Sequence, residues 1–229
     1  MLNADKTDFI WLGTRQQLSK VNRDSIVLNG VNIKPSREVT LLCVVIDEEL
    51  KFTSHIKRLT GRCYYQLRQL RTVRRALSKE TSKLLVHALI ISHLDYCNSV
   101  FNNVAAVHLH PLQSVLHAAA RLVVQRRKYD HITTDIRDYL PWLRVNYRID
   151  FKLCALVYKC LHRTAPVYLS DMCTLIYTNP TRSQLRSASS GDLIVPRTRT
   201  VTYDLAVSLS VVQLPGTPYI LTSVIRYSL

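Results

Sequence analysis

Glycine and proline are scarce, at 5 and 8 of 229 residues. So few chain breakers exclude collagen-like, mucin-like and low-complexity architectures. Long apolar runs are missing as well. The most apolar stretch, residues 84–91, is interrupted by His87 and falls far short of the roughly 20 residues that cross a bilayer. The opening Met1-Leu2-Asn3-Ala4-Asp5-Lys6 lacks the apolar segment of a secretory signal. The six cysteines (Cys43, Cys63, Cys97, Cys154, Cys160 and Cys173) form no CxxC pair, which excludes zinc-ribbon spacing and speaks against a disulfide framework. The expectation is reduced, mostly buried thiols in a nuclear or cytoplasmic protein.

Catalytic signatures are also missing. There is no GxGxxG, GxxxxGK or GxSxG. The dense acidic cluster Asp47-Glu48-Glu49 is the one candidate for holding a divalent cation against a phosphate, and its bland reading is a solvated turn before a helix. His108, His110 and His117 lack a carboxylate or thiol at ligand spacing, so surface and loop roles are favoured over metal binding. Cys154, Cys160 and His162 share one helix end at spacings that fit no zinc motif. No catalytic and no metal-ligating residue is assigned.

The last shortage is acid. Only 16 aspartates and glutamates stand against 31 lysines and arginines, a formal net charge of +15 and a pI near 9.8. Such an excess favours polyanionic partners, nucleic acid before anionic membrane. With 47% hydrophobic residues, the chain has enough apolar material for one large domain or two small ones.

What is there reads first as β and then as α. Thr7-Asp8-Phe9-Ile10-Trp11-Leu12-Gly13 is a short strand, and Ile26-Val27-Leu28, Asn29-Gly30 and Val31-Asn32-Ile33 form a hairpin around a dipeptide suited to a type I′ turn. Residues 38–46 read as a third strand. After Lys51 the period becomes helical. Ile56, Leu59, Cys63, Leu67, Leu70 and Leu77 fall within a sector of roughly 80°. Lys57, Tyr64, Arg68, Arg71 and Arg75 fill an adjoining sector of about 60°.

No acidic residue occurs between Lys51 and Lys79. Arginine can contact a phosphate in bidentate fashion, so this face is the candidate nucleic-acid surface, with Tyr64 against a sugar or base. The competing reading is an ordinary solvated helix face. Ser78 caps a second helix, whose apolar residues 84–100 predict a central, buried element. A third helix is expected from Pro111, packing through Leu112, Val115, Leu116, Ala119, Leu122 and Val123 and ending in Gln125-Arg126-Arg127-Lys128. A short helix capped by Thr134 and another over 145–161 follow. Pro166 opens a last turn, and residues 201–229 are apolar without a dependable period.

Several blocks together resemble the carboxy-terminal part of reverse transcriptases from non-LTR (LINE-type) retrotransposons. They include Leu2-Asn3-Ala4-Asp5-Lys6-Thr7, Phe9-Ile10-Trp11-Leu12-Gly13, Tyr65-Gln66-Leu67-Arg68-Gln69-Leu70-Arg71 and Leu94-Asp95-Tyr96-Cys97-Asn98-Ser99-Val100. Later ones are Leu112-Gln113-Ser114-Val115-Leu116, Val157-Tyr158-Lys159-Cys160-Leu161-His162 and Ala165-Pro166-Val167-Tyr168-Leu169. The likeness runs in order over residues 1 to about 200.

It implies an α+β fold: a short N-terminal β-hairpin and strands, then a mainly α-helical bundle, then an irregular C-terminal tail. Residues 1–50 would be the end of the palm and a primer-grip-like β segment. Residues 51–128 would be a thumb-like helical bundle, 129–175 a helical carboxy-terminal extension, and 176–229 a low-order tail.

Lys6 corresponds to a lysine near the incoming nucleotide in the family. The family's Mg²⁺-binding aspartates fall upstream of Asn3, so no cofactor and no polymerase activity are expected of these residues alone. RNA or an RNA–DNA duplex is the implied partner, the palm and fingers portion of a reverse transcriptase a further one, and membrane is not expected. Two departures stand out. Leu42-Cys43 replaces a Leu-Gly, and the family's text is missing after about Tyr203. The alternative is an inert retrotransposon-derived remnant or helical interaction module.

Overall fold

The computed structural model describes residues 7–28, 30–102, 104–178, 193–194, 208–212 and 220–224. The fold is α+β, with short strands first and helices after them. The chain divides into two compact units, Met1–Cys97 with Val104–Val145, and Asn98–Asn103 with Asn146–Leu229.

In the first unit, β1 (Phe9–Ile10) pairs in parallel with β4 (Pro35–Ser36). The strand expected over residues 7–13 is therefore only two residues long. The chain turns instead at Thr14, which begins α1 (Arg15–Leu18) with a capping box: its hydroxyl accepts from the Gln17 amide, and Gln17 reaches back to the Thr14 amide. β2 (Ile26–Leu28) and β3 (Val31–Ile33) form the expected hairpin, with Gly30 at φ +81°.

The third strand is corrected to a second hairpin. β5 (Glu38–Leu41) and β6 (Val44–Asp47) pair antiparallel through a two-residue turn, Leu42-Cys43. Both turn residues have positive φ, 46° and 66°. Leu and Cys pay a steric penalty there that glycine would avoid. Uninterrupted β propensity hid this turn, because neither residue signals one.

α2 (Thr53–Val73) buries Ile56, Leu59, Cys63, Leu67 and Leu70, the expected apolar sector, and His55 beside it. It ends at Val73, where a 3₁₀ turn (Arg74–Ala76) takes over, so Leu77 lies beyond the helix and is only half-buried. α3 (Lys79–Val86) is capped by Ser78, whose hydroxyl accepts from the Thr81 amide at 3.1 Å. It runs through a π turn (His87–Ile91) into α4 (Ser92–Asp95). This element is not buried all round. Val86, Ile90, Ile91 and Leu94 face the core, whereas Leu84 is 70% exposed and Val100, outside the helix, is exposed as well.

α5 (Ala106–Val123) begins five residues before Pro111 and buries every residue of its expected stripe, with Leu109, Ala118 and Ala120 added. Pro111 sits inside the helix rather than opening it. The carbonyl that its missing N–H would have satisfied belongs to exposed Val107, where water can substitute. α6 (Thr133–Asp138) has Ile132 rather than Thr134 at its N-cap, with no side-chain cap bond. The core of this unit is made where α5 packs on α2 and α3 and where the π turn His87–Ile91 packs on α2.

In the second unit, a 3₁₀ turn (Asn98–Phe101), α7 (Val145–Leu161) from its second residue on, and α8 (Val167–Ser170) are helical. Leu175 bridges Leu193. β7 (Ser208–Val212) and β8 (Ile220–Val224) pair antiparallel within the segment whose sequence showed no strand spacing. No helix among the described residues is long and apolar enough to cross a membrane.

Candidate nucleic-acid interface

The exposed side of α2 carries the site. Burying the apolar sector forces the adjoining sector outward, and Lys57, Tyr64, Arg68 and Arg71 are all solvent-exposed there. From Lys57 to Arg71 they extend about 21 Å along the axis at 1.5 Å per residue. Arg75 is exposed too, but it belongs to the 3₁₀ turn Arg74–Ala76, so the regular advance of the stripe stops at Arg71. Gly61 falls on this same side and has open space around it. Lys6 lies outside the described residues.

The N-terminal end of α2 is held by its packing on the second hairpin. His55 is buried, and its Nδ1 accepts the Val45 amide at 3.2 Å. That bond requires the Nε2–H tautomer of the neutral ring. Burial, and then the nearby Arg58 cation, hold its pKa below the ordinary value of 6.5. Arg58 turns back to donate to the Cys43 carbonyl at 3.1 Å, and Tyr96 donates to the Leu42 carbonyl at 2.9 Å. Two side chains thus hold the strained turn. Sequence reasoning passed over His55, because a histidine at a helix start carries no sign of burial.

The C-terminal end of α2 does something the sequence did not reveal. Arg71 and Arg74 line a concavity of about 390 Å³ with Arg121, Arg126, Arg127 and Lys128 from the end of α5 and the loop after it. Leu122 and Gln125 complete its wall. Gln125 has φ +60°, which ends α5 and turns the basic run back toward the neighbouring helix. Arg126 is paired with the buried Asp135 through Nε at 3.2 Å and Nη2 at 3.4 Å. Arg121 donates from Nε to the Asp130 carbonyl at 3.2 Å, and the Arg127 amide donates to the Asp130 carboxylate at 2.8 Å. The run Gln125-Arg126-Arg127-Lys128 was visible as a helix end. Its meeting with Arg71 and Arg74 depends on how α2 and α5 pack.

The acidic cluster is not arranged for a metal ion. The Asp47 carboxylate accepts the Lys51 amide at 2.7 Å, Glu48 pairs with Arg23 at 2.9 Å, and Glu49 pairs with Lys51. Each carboxylate is taken by a turn or a cation, so the set is not arranged to hold a divalent cation against a phosphate. Among the described residues, no three His, Cys, Asp or Glu side chains gather into a ligand set. His117 lies beside Gln113, 2.8 Å from its amide nitrogen, and burial depresses its pKa, with Arg121, Arg144 and His110 adding to the effect.

No protein-family model, curated protein or solved structure matches the chain.

Proposed function

We propose that the chain is the thumb and carboxy-terminal portion of a non-LTR retrotransposon reverse transcriptase, and that it binds RNA or an RNA–DNA duplex along the exposed face of α2. One observation carries the reading. Lys57, Arg68 and Arg71 share one exposed helix face with Tyr64 among them, in a segment without a single acidic residue. An ordinary solvated helix face interleaves both signs of charge, whereas a phosphate-tracking face does not. The sequence blocks from Leu2 to Leu169 supply the family.

On this reading residues 51–128 grip the nucleic acid, and polymerase chemistry is the work of the family's palm and fingers. The palm and fingers of such an enzyme are its natural protein partner. Lys57 and the arginines would neutralise successive backbone phosphates, and Tyr64 would lie against a sugar or base. The turn at Leu42-Cys43 stands where the family has Leu-Gly, which fits the positive φ found there.

The test is binding of the purified chain to an RNA–DNA hybrid from low to physiological salt. Retained binding that weakens steeply with salt supports the reading. Affinity equal to that of a neutral globular control removes it and leaves an inert remnant or helical interaction module.

A further inference from the structure

We propose that the concavity lined by Arg71, Arg74, Arg121, Arg126, Arg127 and Lys128 is a separate binding site for linked phosphoryl groups, as in a polyphosphate, a nucleoside triphosphate or the 5′-triphosphate end of an RNA strand. Two helix ends and the loop after α5 bring six cations to one hollow of about 390 Å³. That volume lies within the range of small-ligand sites, about 300–1,000 Å³.

Cations at a helix C-terminus ordinarily balance the dipole, and each end presents only about half a negative charge. Six cations at two such ends far exceed that need. The carboxylates of Asp130 and Asp135 offset part of the excess, and after the dipoles about three positive charges remain. A terminal phosphoryl group carries about −1.5 to −2 near neutral pH, so two or three linked groups match the hollow better than one does.

The geometry also separates this site from the face of α2. There the cations follow a line, which suits a strand whose phosphates are spaced along it. Here they converge, which suits phosphates joined directly to one another. Arg126 is held by Asp135 and Arg121 by the Asp130 carbonyl, so two guanidinium groups are positioned before any ligand arrives. Preorganised donors of this kind lose little freedom on binding. Only Arg71 belongs to both arrays.

The experiment is calorimetric titration of the full chain with sodium tripolyphosphate at physiological salt, with sodium sulfate as control. One site should bind tripolyphosphate at least about tenfold more tightly than sulfate, the worth of a charged hydrogen bond. Arg127 and Lys128 are both exposed, so the double variant R127Q/K128Q should keep its fold while weakening tripolyphosphate binding by at least about tenfold. R74Q, on the other helix, should weaken it in the same direction. K57Q/R68Q should leave it within about twofold.

Tripolyphosphate no tighter than sulfate would overturn the proposal, as would equal losses in the K57Q/R68Q and R127Q/K128Q variants. The same variants with an RNA–DNA hybrid separate this site from the duplex-binding function. Hybrid binding that fails while tripolyphosphate binding holds removes the duplex function alone. Two RNA probes distinguish the sources. A preference for 5′-triphosphate over 5′-hydroxyl RNA that disappears in R127Q/K128Q identifies a strand end. Equal binding of the two, with tripolyphosphate binding intact, identifies the free polyphosphate.

Discussion

The two cationic regions of the first unit are built from overlapping material in opposite ways. Along α2, Lys57, Arg68 and Arg71 are spread in a line by the helix period. At its end, Arg71 and Arg74 meet Arg121, Arg126, Arg127 and Lys128 in a hollow formed by two helices. A line of cations needs only local sequence, whereas a hollow of cations needs a packed core to bring distant residues together. The line suits an extended polyanion, and the hollow suits a compact one.

The core beneath both regions is where the comparison breaks most completely. Leu67 is 1% exposed on the inner face of α2. Leu67→Ala should cost about 2–5 kcal/mol of stability, measured by urea denaturation. Because α2 bears the line and one wall of the hollow, binding of RNA–DNA hybrid and of tripolyphosphate should fall together in this variant.

Tyr64 sharpens the comparison. It is 38% exposed on the line and does not line the hollow. Tyr64→Ala should reduce affinity for single-stranded RNA by about 1–3 kcal/mol if a base stacks on the ring. Tripolyphosphate binding should not change.

Cys43 serves as the control, since it belongs to neither array. At φ +66° it carries strain that glycine would relieve. Cys43→Gly should raise stability by about 1 kcal/mol in thermal or urea melts, with hybrid binding unaltered. An unchanged or lowered stability would mean that the bonds from Arg58 and Tyr96 to this turn do not hold it in that conformation.

The smallest effect concerns pH. The pKa values of buried His55 and half-buried His117 are lowered in the folded state. Below the unfolded value, about 6.5, the unfolded chain therefore takes up protons that the folded chain refuses. The stability they contribute is complete above about pH 6.5 and declines as pH falls toward the depressed folded values. The melting temperature should drop between about pH 7.5 and pH 5.5, and the drop should shrink in His55→Gln.

Much of the helical part was legible. The inner sector of α2, the cap at Ser78, the stripe on α5 and the span of α7 follow from periodicity and capping, which are local signals. The second hairpin was hidden because Leu42 and Cys43 are poor turn formers, and the turn is held by Arg58 and Tyr96 from elsewhere in the chain. The start of α5 was misplaced because Pro111 fits a first turn but is tolerated deeper when its missing bond falls on an exposed carbonyl. The face of α2 was readable in one dimension. The hollow was not, since residues 71–74 and 121–128 share no pattern until the helices pack.

The measurement that tests the central claim most directly is the slope of log affinity against log salt for an RNA–DNA hybrid. The intact chain is to be compared with the triple variant R68E/R71E/R75E. If these arginines track phosphates, the slope should flatten by about 0.9 for each lost contact, and affinity should fall across unrelated sequences alike. A triple variant that keeps both the slope and the affinity of the intact chain would contradict the assignment of α2 as the nucleic-acid face.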